Sequence, residues 1–159
     1  MSISAGNGVI VVMGSPADAP WVDRITSALD AYGIPSETIV ASAHKTPKFL
    51  LSELERLEAS GGSRVYVTVA GRSNALSGFV DAQVTAPVLA CPPPSDAFAG
   101  MDILSSLRMP RGVAPLVVLE PENAALAAAK ILGLVDSEIA ERVEAKQAEQ
   151  RERVMGAGQ

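Results

Sequence analysis

Short apolar runs recur along this chain, and between them the apolar residues fall at helical spacing. Strands are expected near residues 8–13, 36–41, 64–70, 87–90 and 115–119. Most of these runs, such as Val9-Ile10-Val11-Val12-Met13, are apolar throughout rather than alternating. A strand of that kind is covered on both faces, which points to a parallel sheet with helices above and below. The first intervening segment, Ala19 to Tyr32, places Val22, Ile25, Leu29 and Tyr32 on one helical face. Gly33 stops that helix and Pro35 prevents its continuation. The second, about 47–59, repeats the pattern with Phe49, Leu50, Leu54 and Leu57 and ends in Ser60-Gly61-Gly62. Further helices are expected over 73–84, 97–107 and 121–132. Pro121-Glu122-Asn123 is a good start for the last of these, since proline tolerates the first turn and an acid there suits the helix dipole. The expected fold is a three-layer α/β/α sandwich around a central parallel sheet.

A chain of 159 residues is expected to form one domain, with a core over about 8–135 and a charged C-terminal helix over about 136–153. That tail opens with Asp136-Ser137-Glu138 and is highly charged after Ala140. It reads as a solvated helix or as one that reaches over a neighbouring subunit. Apolar residues make up 48% of the chain, enough for a proper core, and the scarcity of aromatics makes that core aliphatic and alanine-rich. The net charge of −5 and the lack of a basic tract argue against nucleic acid as a partner. A single cysteine, Cys91, excludes an internal disulfide and fits a reducing cytosol, so a cytoplasmic location is expected. Met1 to Gly8 has no basic start and no long apolar run, so neither a signal peptide nor a membrane span is expected. One histidine, one cysteine and no close His/Asp/Glu spacing make a structural zinc site unexpected, and no metal is expected.

In an open parallel sheet, ligands bind beyond the carboxyl ends of the strands. Three such ends carry polar clusters here. The first strand runs into Gly14-Ser15-Pro16-Ala17-Asp18, the second into Ser42-Ala43-His44-Lys45-Thr46-Pro47, and the third into Gly71-Arg72-Ser73-Asn74. The first cluster combines a hydroxyl with the unpaired amides of a helix start, which suits an anion, while Asp18 suits sugar hydroxyls. Taken alone, helix capping by Ser15 or Asp18 accounts for it. It is neither a Gly-x-Gly-x-x-Gly fingerprint nor a phosphate loop ending in Gly-Lys-Ser/Thr. In the second cluster, His44 is the only histidine of the chain, and imidazole is the side chain best suited to moving a proton near neutral pH. Lys45 beside it is a point charge for phosphate or carboxylate. A satisfied structural histidine is the bland alternative, but a position just past a strand end, between Ser42 and Lys45, favours chemistry. No nucleophile–histidine–acid triad is evident. The third cluster offers a guanidinium, a hydroxyl, an amide and backbone N–H groups, a set that can hold a carboxylate or a small polarised molecule. Helix capping by Ser73 or Asn74 is the alternative. Cys91 reads as buried core, with Pro92-Pro93-Pro94 a rigid turn behind it.

These residues, in this order, resemble the PurE family, which acts on aminoimidazole ribonucleotide in purine biosynthesis. The resemblance rests on Met13-Gly14-Ser15…Asp18, Ser42-Ala43-His44-Lys45-Thr46-Pro47, Ala70-Gly71-Arg72-Ser73-Asn74 and Ser105-Ser106-Leu107-Arg108-Met109-Pro110, and it extends from about residue 8 to 135. It is specifically similar to the class II branch, which adds carbon dioxide to C4 of 5-aminoimidazole ribonucleotide. The class I branch, which moves a carboxylate from N5 to C4, has arginine at the position of Lys45 and a second histidine that this chain lacks. The resemblance implies a flavodoxin-like fold, a homo-octamer or homotetramer with sites at subunit junctions, and no metal or organic cofactor. It also implies that Ser15, Asp18, Ser42 and Lys45 bind the ribonucleotide and that His44 handles the proton. Gly71, Ser73 and Asn74 would shape the carbon dioxide end. The family usually has serine where this chain has Ala17, which removes one phosphate-facing hydroxyl. The competing readings are the class I mutase, a non-catalytic nucleotide- or flavin-binding module, and a degenerate relative kept as a structural or regulatory subunit.

Overall fold

The computed structural model describes residues 6–157. The first five residues of the Met1–Gly8 segment, where no leader is expected, lie outside it. Five parallel strands form one sheet: β1 (Gly8–Met13), β2 (Ser36–Val40), β3 (Arg64–Val69), β4 (Val88–Ala90) and β5 (Leu116–Val117). Their order is β2-β1-β3-β4-β5, which is the flavodoxin-like winding. Met13 stands opposite both Val40 and Val69, so the edge strand β2 and its neighbours β1 and β3 end level with one another.

The uniform apolarity of the strands has its reason in two separate cores. Val9, Val11 and Met13 of β1 join Val65, Val67 and Val69 of β3 under α1 (Ala19–Asp30) and α5 (Pro121–Leu132). Ile10 and Val12 face the other way, with Tyr66, and meet α2 (Pro47–Ala59) and α3 (Ala75–Asp81). Successive side chains point to opposite faces, so a strand buried on both is apolar almost throughout; Thr68 of β3, the exception inside the run, shares a hydrogen bond with the Ser77 hydroxyl (2.8 Å). On α1, Val22, Ile25 and Leu29 are the buried residues, the stripe that the spacing predicts.

Three expected elements are shorter or broken. The helix expected over 73–84 begins only at Ala75, where Asn74 caps it, and the strand expected over 115–119 is two residues long. The segment 97–107 is not one helix. Its first part, Ala97–Ile103, is a tight turn sequence in which Phe98, Ala99 and Gly100 have left-handed backbone, and only α4 (Leu104–Leu107) is α-helical. The Ser95 hydroxyl explains the local folding: it accepts from the Ala97 N–H (3.1 Å) and donates to the Asp102 carboxylate (2.7 Å). A side chain bonding to nearby backbone competes with the helix ladder in this way.

The charged tail forms α6 (Ser137–Gly156), capped by the Asp136 carboxylate. Its first half is not merely solvated. Ile139 and Val143 are buried in the α1/α5 core, and Arg142 donates to the Tyr32 carbonyl (3.1 Å). Lys146 sits 5.4 Å over the Tyr32 ring. Two apolar positions one helical turn apart are enough to dock an otherwise charged helix.

Candidate active site

Each polar cluster is built by its own local hydrogen bonds. At the end of β1, Gly14 continues the ladder with its N–H on the Val69 carbonyl (2.9 Å). A Cβ on Gly14 would lie 3.4 Å from that of Ala70, so glycine lets the first and third loops approach closely. Ser15 is extended, and its hydroxyl accepts from the Ala17 N–H (3.2 Å). The turn Pro16–Asp18 then leads directly into α1.

At the end of β2, the loop is closed on itself. The Ser42 N–H donates to the Thr46 hydroxyl (2.9 Å), the Lys45 N–H to the Ser42 hydroxyl (3.2 Å), and the Thr46 N–H to the Ser42 carbonyl (2.9 Å). Pro47 then opens α2. His44 rides on this turn with its side chain exposed, and Lys45 follows it. The turn therefore holds its shape without using the imidazole.

At the end of β3, Asn74 is buried and its amide is fully engaged. It accepts from the Ser77 N–H (3.2 Å) and donates towards the Ser77 and Ser106 hydroxyls (2.7 and 2.9 Å). The Ser105 hydroxyl accepts from the Asn74 N–H (2.9 Å) and lies 2.9 Å from the Arg72 carbonyl. These two serines of α4 pin the Gly71–Asn74 loop from outside, which explains why a small, polar, proline-broken segment occupies residues 105–110.

The loops enclose a crevice of about 520 Å³ at the carboxyl edge of the sheet. Ser15, Asp18, Ser42, His44, Lys45, Gly71 and Ser73 all line it, joined by Arg72 and Pro93–Ser95. Asn74 does not line it; its side chain braces the loop. Sequence reasoning left Arg72 and the β4 loop outside the expected set. Arg72 stood among the donors of its cluster, but nothing in a sequence signals its left-handed backbone (φ 58°). A second cavity of about 340 Å³, walled by Trp21, Pro92, Ile103 and Leu119, shares Gly71, Arg72 and Pro93–Ser95 with the first.

Burial pushes the Asp18 carboxyl above its ordinary value, against the opposing pull of a backbone hydrogen bond at Ser15 and the Arg72 guanidinium. A raised carboxyl in the folded state favours folding while protonated and loses that advantage as pH rises through the folded value. Asp18→Asn is therefore expected to melt higher than the parent at neutral pH. The difference should vanish below 3.8, the carboxyl's ordinary value. Melting curves at the two pH values check this; an equal difference at both would remove burial of the charge as the cause. Cys91 is fully buried, and burial pushes its thiol up to about 11. It is no nucleophile, in line with its reading as core. Among the described residues, no group of three or more His, Cys, Asp or Glu is placed to hold a metal, and no helix is long and apolar enough to cross a membrane.

A 2-1-3-4-5 sheet with an imidazole, two cations, hydroxyls and a carboxylate around one crevice at its carboxyl edge defines an enzyme acting on a small molecule. Residues 8–153 match the AIR carboxylase family, and this chain belongs to it. It is 53% identical over 135 residues to a phosphoribosylaminoimidazole carboxylase of Treponema denticola, covering 85% of each chain. A phosphoribosylaminoimidazole carboxylase of Archaeoglobus fulgidus is 52% identical over 138 residues, 87% of this chain and 76% of that one. The crystal structure of Treponema denticola PurE superposes with a TM-score of 0.93 at 48% identity, over 94% of this chain and 95% of the other.

Proposed function

We propose that this chain carboxylates 5-aminoimidazole ribonucleotide at C4 with carbon dioxide, a step of purine biosynthesis. The observation that carries the reading is the shared crevice: the only imidazole of the chain faces the same cavity as the Ser15–Asp18 turn and the Gly71–Ser73 donors. The aminoimidazole ring is enamine-like, so it supplies its own nucleophile. Its C4–C5 π pair forms the new C–C bond, and one C=O π pair of carbon dioxide becomes a carboxylate lone pair. His44 then takes the C4 proton, and the C–H pair restores the aromatic ring. No cofactor is required by this sequence of bonds.

The protein's contribution is position and electrostatics. Holding carbon dioxide against C4 contributes several kcal/mol, up to roughly 7–11 in ideal cases. Donors of the Gly71–Ser73 loop stabilise the nascent carboxylate. Lys45 and the Ser15 turn hold the phosphate, Ser42 supports the Lys45 turn, and Asp18 accepts from ribose hydroxyls. Lys45→Ala is accordingly expected to raise the KM for the ribonucleotide more than it lowers kcat. An unchanged KM in steady-state assays would show that this charge does not hold substrate.

Lys45 and the lack of a second histidine favour direct carboxylation over transfer of a carboxylate from N5. The deciding assay supplies the plain ribonucleotide in saturating bicarbonate, and separately the N5-carboxylated ribonucleotide. Turnover of the first supports the reading; turnover of the second alone overturns it in favour of the mutase. We also place the enzyme in the cytoplasm, on its unpaired buried cysteine, and as a homo-octamer or homotetramer. In support of assembly, Phe98 is 81% exposed beside exposed Met101, Leu104 and Leu107, an apolar surface next to the crevice.

A further inference from the structure

We propose that Arg72 is the specificity-determining cation of this crevice, the group that receives the new carboxylate and distinguishes the carboxylated from the uncarboxylated ribonucleotide. The inference rests on the carboxylase reading and assigns its second anionic end.

The first observation is backbone strain. Arg72 has φ 58°, a region that a residue with a Cβ avoids. The conformation is held from outside by Ser105, whose hydroxyl accepts from the next-but-one amide, that of Asn74, and lies between the Asp102 and Arg72 carbonyls, 2.7 and 2.9 Å away. A strained non-glycine residue that its surroundings over-determine points to a functional side chain. Gly71 precedes it, and glycine at 72 would take up the same backbone without strain.

The second observation is position. Arg72 lies on the wall common to the two cavities. No carboxylate among the described residues stands within ion-pair distance of its guanidinium, although its charge is felt at Asp18. Arg24, Arg56 and Arg142, by contrast, each hold a carboxylate at 3.0 Å or closer. Arg72 is left with an unspent fork of donors facing a crevice.

The third observation is spacing. β2 and β3 flank β1 on opposite sides, so the Lys45 and Arg72 loops leave the sheet two strand spacings apart, about 10 Å. A ligand that bridges them has negative charge at both ends, and the product of carboxylation is such a molecule. The planar guanidinium fork matches a carboxylate, while the Lys45 ammonium is a point charge suited to phosphate. Loss of the C4 proton perpendicular to the ring leaves the carboxylate in the ring plane, so the proton acceptor and the carboxylate's partner must stand on different sides of the ligand; His44 and Arg72 sit on loops of different strands around the crevice.

The test is calorimetric binding of the 5-aminoimidazole ribonucleotide and of its 4-carboxylate to the parent chain and to Arg72→Met, Arg72→Lys and Arg72→Gly, with melting temperatures as a folding control. A charge-assisted hydrogen bond of this kind corresponds to about tenfold or more in affinity. Arg72→Met and Arg72→Gly are expected to lose that factor for the carboxylate while binding the plain ribonucleotide as the parent does. Arg72→Lys should recover part of the loss. Equal weakening of both ligands would assign Arg72 to phosphate and overturn the proposal. So would full discrimination by Arg72→Gly, which removes the charge and relaxes the backbone. Failure of the parent chain to bind either ligand is a separate outcome, which sinks the carboxylase reading and this inference with it.

Discussion

His44→Asn is expected to lower turnover by at least about a hundredfold, the lower end of what a positioned acid–base group contributes. The same variant is expected to melt like the parent. The reason is local: the Ser42–Thr46 turn is closed by the Ser42 and Thr46 hydroxyls and by backbone, not by the imidazole. The His44 side chain is exposed, so its replacement opens no cavity and leaves no buried donor unpaired. Asparagine keeps a polar side chain of similar reach but does not accept a proton near neutral pH. Steady-state carboxylation in saturating bicarbonate, paired with a melting curve, reads both effects. Near-normal turnover would remove His44 from the reaction, and a large fall in melting temperature would make its role structural.

Asn74→Ala is expected to act in the opposite way, through stability first. The substitution removes the cap of α3 and strands the Ser77 N–H and the Ser106 hydroxyl inside the protein. The stranded Ser77 N–H is the lost cap, about 1 kcal/mol, and the stranded Ser106 hydroxyl is a buried unpaired group, about 1–3, so a loss of about 2–4 kcal/mol in unfolding free energy is expected. Activity should fall with it, because the Gly71–Ser73 loop loses its brace. Urea unfolding measures the first effect and carboxylation at low temperature the second. An Asn74→Ala chain with parental stability and little activity would instead put the amide in contact with substrate.

The contrast between these two residues marks how far the candidate site was legible. His44 was visible because a lone imidazole just past an apolar run has few structural uses. Asn74 followed Gly71 and Ser73 in the same cluster, and residue type alone does not tell a ligand from a brace. What separates them is whether the side chain's hydrogen bonds are already used, and Asn74's partners come from residues 77 and 106. Ser105 shows the same limit. Besides the nearby Asp102 carbonyl, its hydroxyl meets two groups of a loop more than thirty positions earlier.

The helices that misled were those whose shape depends on distant or competing bonds. The 97–107 segment has a helical composition, yet the Ser95 hydroxyl and a run of left-handed residues redirect it. The charged tail is the helix its composition indicates and is largely exposed; what its average hid is that Ile139 and Val143 dock its first half.

The linear chain by itself determined the layers, because the apolar pattern follows from local geometry: short unbroken apolar runs in strands covered on both faces and three- to four-residue recurrence in helices are short-range properties. It likewise determined which strand ends carry polar clusters. Only the folded arrangement decided that the β1, β2 and β3 loops share one crevice, that Asn74 turns inward, and that Arg72 stands strained between two cavities. Those outcomes depend on strand order and on hydrogen bonds between residues far apart in the chain, and no local pattern encodes either.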